Sequence, residues 1–136
     1  MKKIVAVTLF LLLSLAVAHS KVVKIVPGKG TTVSAPKTIE ITFNEAIEAS
    51  FSTFKVYAYT GELSNGALRT FVNSKIALKN DATARADSST QAKGTTKNVQ
   101  ISLKPKLKTG TYVVMWRILG SDTHSVDGNS FFKIKP

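Results

Sequence analysis

Only two histidines occur in the chain, His19 and His124, and both stand where an imidazole could meet other metal donors. His124 ends the stretch Gly120-Ser121-Asp122-Thr123-His124, one residue beyond the Asp122 carboxylate. In an extended stretch, residues two apart project from the same face. His19 directly follows Ala16-Val17-Ala18, a small-residue pattern of the kind at which a secretory leader is cut. Cleavage after Ala18 would make His19 the first mature residue. Its free α-amine and imidazole Nδ1 could then close a six-membered chelate on one metal ion. An α-amine has an ordinary pKa near 7.7–8.0, so a strong Lewis acid can displace its proton around neutral pH. Amine, two imidazoles and one carboxylate make an N,N,N,O set. That set suits Cu(II), which prefers tetragonal N/O coordination and leads the divalent affinity order. Taken singly, either histidine reads as an ordinary solvated side chain; the pair is what points to copper.

Composition removes several other chemistries. The chain has 136 residues, with 19 Lys and Arg, 8 Asp and Glu, and no Cys. A disulfide framework, a cysteine nucleophile and a blue-copper centre all need a thiol and are excluded. Two histidines and scattered carboxylates do not furnish a closed structural zinc tetrahedron. The length accommodates one domain plus a processed segment.

That segment is the N-terminus. Met1-Lys2-Lys3 is a short positive region, and Ile4 to Leu15 is apolar apart from Thr8 and Ser14. With Ala16-Val17-Ala18 it has the layout of a signal peptide over residues 1–18. The apolar run is too short to span about 30 Å of hydrocarbon. Residues 19–136 then form the mature domain. Loss of Lys2 and Lys3 leaves 17 basic against 8 acidic side chains, a formal charge of +9.

The elements that must position the donors are strands. Ile39, Ile41 and Phe43 alternate with polar neighbours, as do Val99, Ile101 and Leu103. Phe54, Val56 and Ala58 alternate with Lys55, Tyr57 and Tyr59, and Phe132 and Ile134 with Phe131, Lys133 and Lys135. This period of two predicts half-buried strands with one solvated face. Thr111 to Leu119 is apolar on both faces apart from Arg117, which predicts a central strand. Val22 to Val26 reads as a further strand, and Leu68 to Leu78 as one or two short ones. Turn signals at Pro27-Gly28, Ser64-Asn65-Gly66, Thr109-Gly110 and Asp127-Gly128 separate the runs. The fold class is all-β, an antiparallel sandwich. Residues 80–96 are rich in small and polar side chains, which predicts a long, mobile inserted loop.

The mature chain resembles the CopC/PcoC copper-resistance family. The resemblance rests on His19, Pro27, Gly30, Val33, Pro36 and Ile39-x-Ile41-x-Phe43-x-Glu45 at the start. It continues with Leu107-x-x-Gly110-x-Tyr112-x-Val114-x-Trp116-Arg117, then Asp122-x-His124-x-Val126, Gly128 and Phe132. It does not extend over Leu63 to Thr96, where this sequence is longer. The family implies a seven-stranded Greek-key β-sandwich of immunoglobulin-like or cupredoxin-like form. It implies a Cu(II) site made by His19, through amine and imidazole, with Asp122 and His124. Glu45 matches an acidic residue that orients the amine. The family further implies a periplasmic monomer that carries or buffers copper, with an inner-membrane copper transporter or another periplasmic copper protein as partner, and no nucleic acid. Thr123 replaces the family's usual glycine and Ser125 its usual proline. Asn44 and Ala46 replace the residues that usually flank the glutamate. No methionine-rich segment is present, and Met115 is the mature chain's one methionine, expected in the core.

Two other readings stand beside the carrier. An N-terminal His with a second His is also the brace of copper monooxygenases. A carboxylate in the fourth position would occupy the place where oxygen binds, and hard oxygen ligation disfavours Cu(I). The charge of +9 suggests instead a basic sandwich that binds a polyanionic surface. Its lysines are scattered over many strands, with no massed run.

Overall fold

The computed structural model describes residues 19–136; the leader expected over residues 1–18 lies outside them. Among the described residues seven strands form: β1 (Val22–Val26), β2 (Thr32–Ser34), β3 (Thr38–Glu48), β4 (Thr53–Tyr59), β5 (Thr95–Ser102), β6 (Gly110–Leu119) and β7 (Ser125–Lys135). A three-stranded sheet has the order β1-β3-β5, and a four-stranded sheet the order β2-β7-β6-β4. All pairings are antiparallel except β2 with β7. The expected all-β sandwich is what forms.

The alternation read in the sequence is what closes it. Ile39, Ile41 and Phe43 of β3, and Val99 and Ile101 of β5, face Phe54 and Val56 of β4, Tyr112, Val114 and Trp116 of β6, and Phe132 of β7 in one buried cluster. Burying such side chains stabilises by about 1.5–3 kcal/mol each.

The segment read as short strands over Leu68 to Leu78 is a helix, α1 (Asn65–Lys75). Leu68, Val72 and Ile76 are four apart, which is a helical stripe and not a strand alternation. Ser64 caps it, its hydroxyl accepting from the Ala67 N–H at 3.3 Å. The stripe lies on the outer face of the four-stranded sheet, against Tyr57, Val113 and Met115. Strand β6 is therefore buried on both faces, as its sequence predicts, and Met115 is in the core.

This helix also corrects the expectation for β4. Lys55 was expected on a solvated face but is only 3% exposed. Its ammonium donates to the Lys75 carbonyl at 3.0 Å, the Leu78 carbonyl at 2.7 Å and Asp81 Oδ2 at 2.7 Å. The buried charge is thus paired, and it also takes up carbonyls at the C-terminal end of α1.

Residues 80–96, expected as a mobile loop, are tied down on both sides. The Ala86 N–H donates to the Val56 carbonyl at 2.7 Å, and the Val56 N–H to Asp87 Oδ1 at 2.8 Å. Across from them, the Ser88 N–H donates to the Ser102 carbonyl and the Lys104 N–H to the Ala86 carbonyl. One short segment therefore covers the open edge of β4 and joins it to the end of β5, removing an unpaired edge. Asp87 is buried against Arg85, and the Gln91 amide donates to the carbonyls of Ala49 and Ser52. Polar composition predicted mobility, but these polar groups anchor the segment through hydrogen bonds.

Candidate metal centre

The donors meet at one end of the sandwich. His19 leads into β1, and Asn44 clips this segment to β3. The Lys21 N–H donates to Asn44 Oδ1 at 2.8 Å, and the Asn44 N–H to the Lys21 carbonyl at 3.0 Å. Between Thr42 and Ile47 the register of β3 shifts, and Ile47 then pairs with Gly120 in an isolated bridge. The β6–β7 turn is thereby drawn beside His19.

That turn is tight, not the extended stretch considered from the sequence. The Gly120 N–H donates to the His124 carbonyl at 2.9 Å, and the Thr123 N–H to the Gly120 carbonyl at 3.0 Å. Thr123 has φ +67°, in the left-handed region. A glycine has no Cβ to oppose that conformation. Thr123 adopts this shape against its own sterics.

The side chains of His19, Asp122 and His124 each offer a donor atom within 4.8 Å of the others. The two imidazole centroids are 5.7 Å apart. The His124 N–H donates to Asp122 Oδ1 at 3.0 Å, and this hydrogen bond holds the Asp122 carboxyl below the usual carboxylate range. Asp122 Oδ2 lies 3.2 Å from His124 Nδ1 but takes part in no aligned hydrogen bond, although the atom is buried. A buried carboxylate oxygen without a hydrogen bond, facing two imidazoles, fits a cation. All these candidate donors are nitrogen or oxygen, and no thioether is among them.

Glu45 is half-buried in the irregular stretch of β3, outside this cluster, and forms no ion pair among the described residues. Arg117 pairs with Asp127 through two hydrogen bonds of 2.7 and 2.8 Å and is not bonded to Asp122. Two neighbours went unnoticed in the sequence. Ser20 is buried, and its hydroxyl has no partner. A Cβ added at Gly120 would come 2.8 Å from Asp122 Oδ1 and 3.1 Å from Ser20 Oγ. Nothing in the sequence marks Ser20, because its role depends on the turn folding over it.

A sequence model of the CopC domain matches residues 22–135. This chain belongs to the CopC domain family. The chain is 34% identical over 133 residues to copper resistance protein C of Pseudomonas syringae pv. tomato, covering 95% of this chain and 94% of that protein. It is 30% identical over 122 residues to copper resistance protein C of Escherichia coli, covering 88% and 84%. It is 29% identical over 118 residues to the copper transport protein CutJ of Bacillus subtilis, covering 86% of this chain but 18% of that one. The crystal structure of PcoC from Escherichia coli, a methionine-rich copper resistance protein, aligns with TM-score 0.57 at 26% identity, over 87% of this chain and 100% of that chain. CopC from Methylosinus trichosporium OB3b shares the fold, with TM-score 0.58 at 24% identity over 87% and 95%. The CopC domain described here differs from the methionine-rich relative in having one methionine, Met115, fully buried.

Proposed function

We propose that the mature chain is a periplasmic Cu(II) carrier or buffer serving copper homeostasis and resistance, without catalysis. The observation that carries this reading is the convergence of His19, Asp122 and His124 from opposite ends of a CopC-domain chain. Removal of residues 1–18 would expose the His19 amine, and amine plus imidazole would chelate the cargo ion. His124 supplies the second imidazole and Asp122 the carboxylate. Asp122 is already ionised and oriented by the His124 N–H, so little reorganisation accompanies metal entry. Glu45, on the irregular stretch of β3, would act on the His19 amine rather than on the ion. The N,N,N,O set favours Cu(II) over Cu(I) and leaves no thioether route.

The names of the relatives, copper resistance and copper transport, support cargo handling over turnover. The match to CutJ supports a membrane copper transporter as the partner, because a similar domain makes up under a fifth of that transport protein. The test is a Cu(II) titration of processed protein followed by electron paramagnetic resonance. One Cu(II) in a nitrogen-rich tetragonal site is expected. Tight binding that survives His124→Ala and Asp122→Ala together would refute the site.

A further inference from the structure

Six of the fourteen lysines in residues 19–136, scattered in the sequence, are gathered by the topology at the end of the sandwich opposite the metal centre. Strand β6 runs from Gly110 at this end to Leu119 beside Gly120. At about 3.3 Å per residue its ten residues separate the two ends by roughly 30 Å. Two adjoining hollows, of about 410 and 420 Å³, lie at the Gly110 end and share Lys106 and Leu107. Lys37, Lys104, Lys106 and Lys108 line them, together with Pro36, Pro105 and Leu107. Strand register adds Lys133, opposite Thr111, and Lys135, opposite Ser34. Five of these six lysines are exposed and Lys104 is half-buried. Among the described residues none of the six forms an ion pair.

The carboxylates are placed otherwise. Asp81 and Asp87 are taken by Lys55 and Arg85, and Asp127 by Arg117. Asp122, Glu45 and Glu48 lie at the metal end. Glu40 and Glu62 are on segments nearer the lysines, and neither lines a hollow. Within about 8 Å, the Debye length at 0.15 M salt, these lysines reinforce one another, while the distant carboxylates are screened from them.

We infer that this basic pole is a docking surface for an anionic phospholipid bilayer. All six cations are lysines without a carboxylate partner among the described residues, and of these Lys104 donates to the Ala82 carbonyl at 2.7 Å. The one arginine lining the hollows, Arg85, is held by Asp81 and Asp87. Recognition of individual carboxylates on an acidic protein favours the planar fork of arginine, whereas a diffuse field of lipid phosphates needs only point charges. Leu107, Pro36 and Pro105 set apolar surface among the ammonium groups, and long lysine stems can lie along a bilayer interface while their heads stay in water. Docked in this way, the chain holds its metal centre roughly 30 Å from the lipid, facing solution. The inference is independent of whether copper is the cargo.

The test uses processed protein, starting at His19, and phosphatidylcholine vesicles with or without phosphatidylglycerol. Co-sedimentation is expected only with the anionic vesicles and should fall as salt is raised. Each lysine removed from the pole should weaken binding about fivefold, so Lys37→Gln, Lys106→Gln and Lys108→Gln together should cost on the order of 100-fold. A control triple at the other end, Lys21→Gln, Lys93→Gln and Lys97→Gln, has the same net charge and should bind nearly as the parent does. Equal losses in the two triples would show a response to net charge alone and overturn the pole. Absence of binding to anionic vesicles, or tighter binding to soluble polyglutamate than to vesicles, would overturn the lipid assignment.

Discussion

His124 meets Asp122 at two points: its N–H donates to Oδ1 at 3.0 Å, and its Nδ1 stands 3.2 Å from Oδ2 without an aligned hydrogen bond. The two side chains are thus set beside each other by their own turn, while His19 approaches from the other end of the domain with its ring 5.7 Å from that of His124.

If the His19 amine is a donor, the free terminus matters as much as the side chains. Protein retaining one residue before His19 should bind Cu(II) on the order of 10–100-fold more weakly than processed protein. An amide nitrogen is a poor donor near neutral pH, and the chelate is replaced by a lone imidazole. Competition against the same chelator measures it, and equal affinities would remove the amine from the site.

Gly120 leaves room that the donors need. Gly120→Ala places a Cβ 2.8 Å from Asp122 Oδ1, closer than such contacts occur, and a tight 3.1 Å from Ser20 Oγ. The carboxylate must move, and Cu(II) affinity should fall about tenfold or more. A resonance spectrum and affinity identical to the parent's would show that Asp122 is not a ligand.

Thr123→Gly should raise stability. A left-handed backbone costs a residue with a Cβ about 1–2 kcal/mol, whereas glycine's extra freedom when unfolded costs about 0.5–1 kcal/mol. Relief of strain wins, and Tm should rise by a few degrees. A lower Tm by calorimetry would mean that the Thr123 side chain contributes contacts outweighing its strain.

Asp81 predicts a response to acid. Burial pushes its pKa up, but hydrogen bonds from Lys55 and Tyr57 and the charges of Lys55 and Arg85 outweigh that, leaving it at about 2 against an ordinary 3.8. A group whose folded pKa is depressed contributes stability above its unfolded pKa and loses it as pH falls through the folded value. Tm should therefore drop between about pH 4 and pH 2, and Asp81→Asn, already less stable at neutral pH, should show a shallower drop there. Parallel melting curves would contradict the pairing.

The insertion should be protected where it joins the sheets. Arg85 is fixed by Asp87 and by the Phe54 carbonyl, and the residues after it pair with both β4 and β5. Trypsin should cut at exposed Lys93 before Arg85, as mass spectrometry of early fragments would show. Early cleavage at Arg85 would mean that the seam opens in the native state.

Alternation at Ile39, Ile41 and Phe43, and at Val99 and Ile101, was enough to specify a sandwich, because a period of two admits one buried face per strand. The types of His19, Asp122 and His124 were enough to single them out as candidate donors, because imidazoles and a carboxylate are nitrogen and oxygen donors, and the structure brings the three within 4.8 Å of one another. Tertiary structure decided the rest. Helix α1 was missed because a stripe of Leu68, Val72 and Ile76 is short and sits among turn-forming residues, where periodicity is weakest. Burial of Lys55 followed from that miss, since a strand's pattern does not say what covers its second face. The order of residues 85–88 depends on hydrogen bonds to two strand edges that no local composition displays. The gathering of Lys37, Lys104, Lys106, Lys108, Lys133 and Lys135 at one pole depends on strand direction and register. These bring side chains together by their place in the sheets rather than by their distance along the chain.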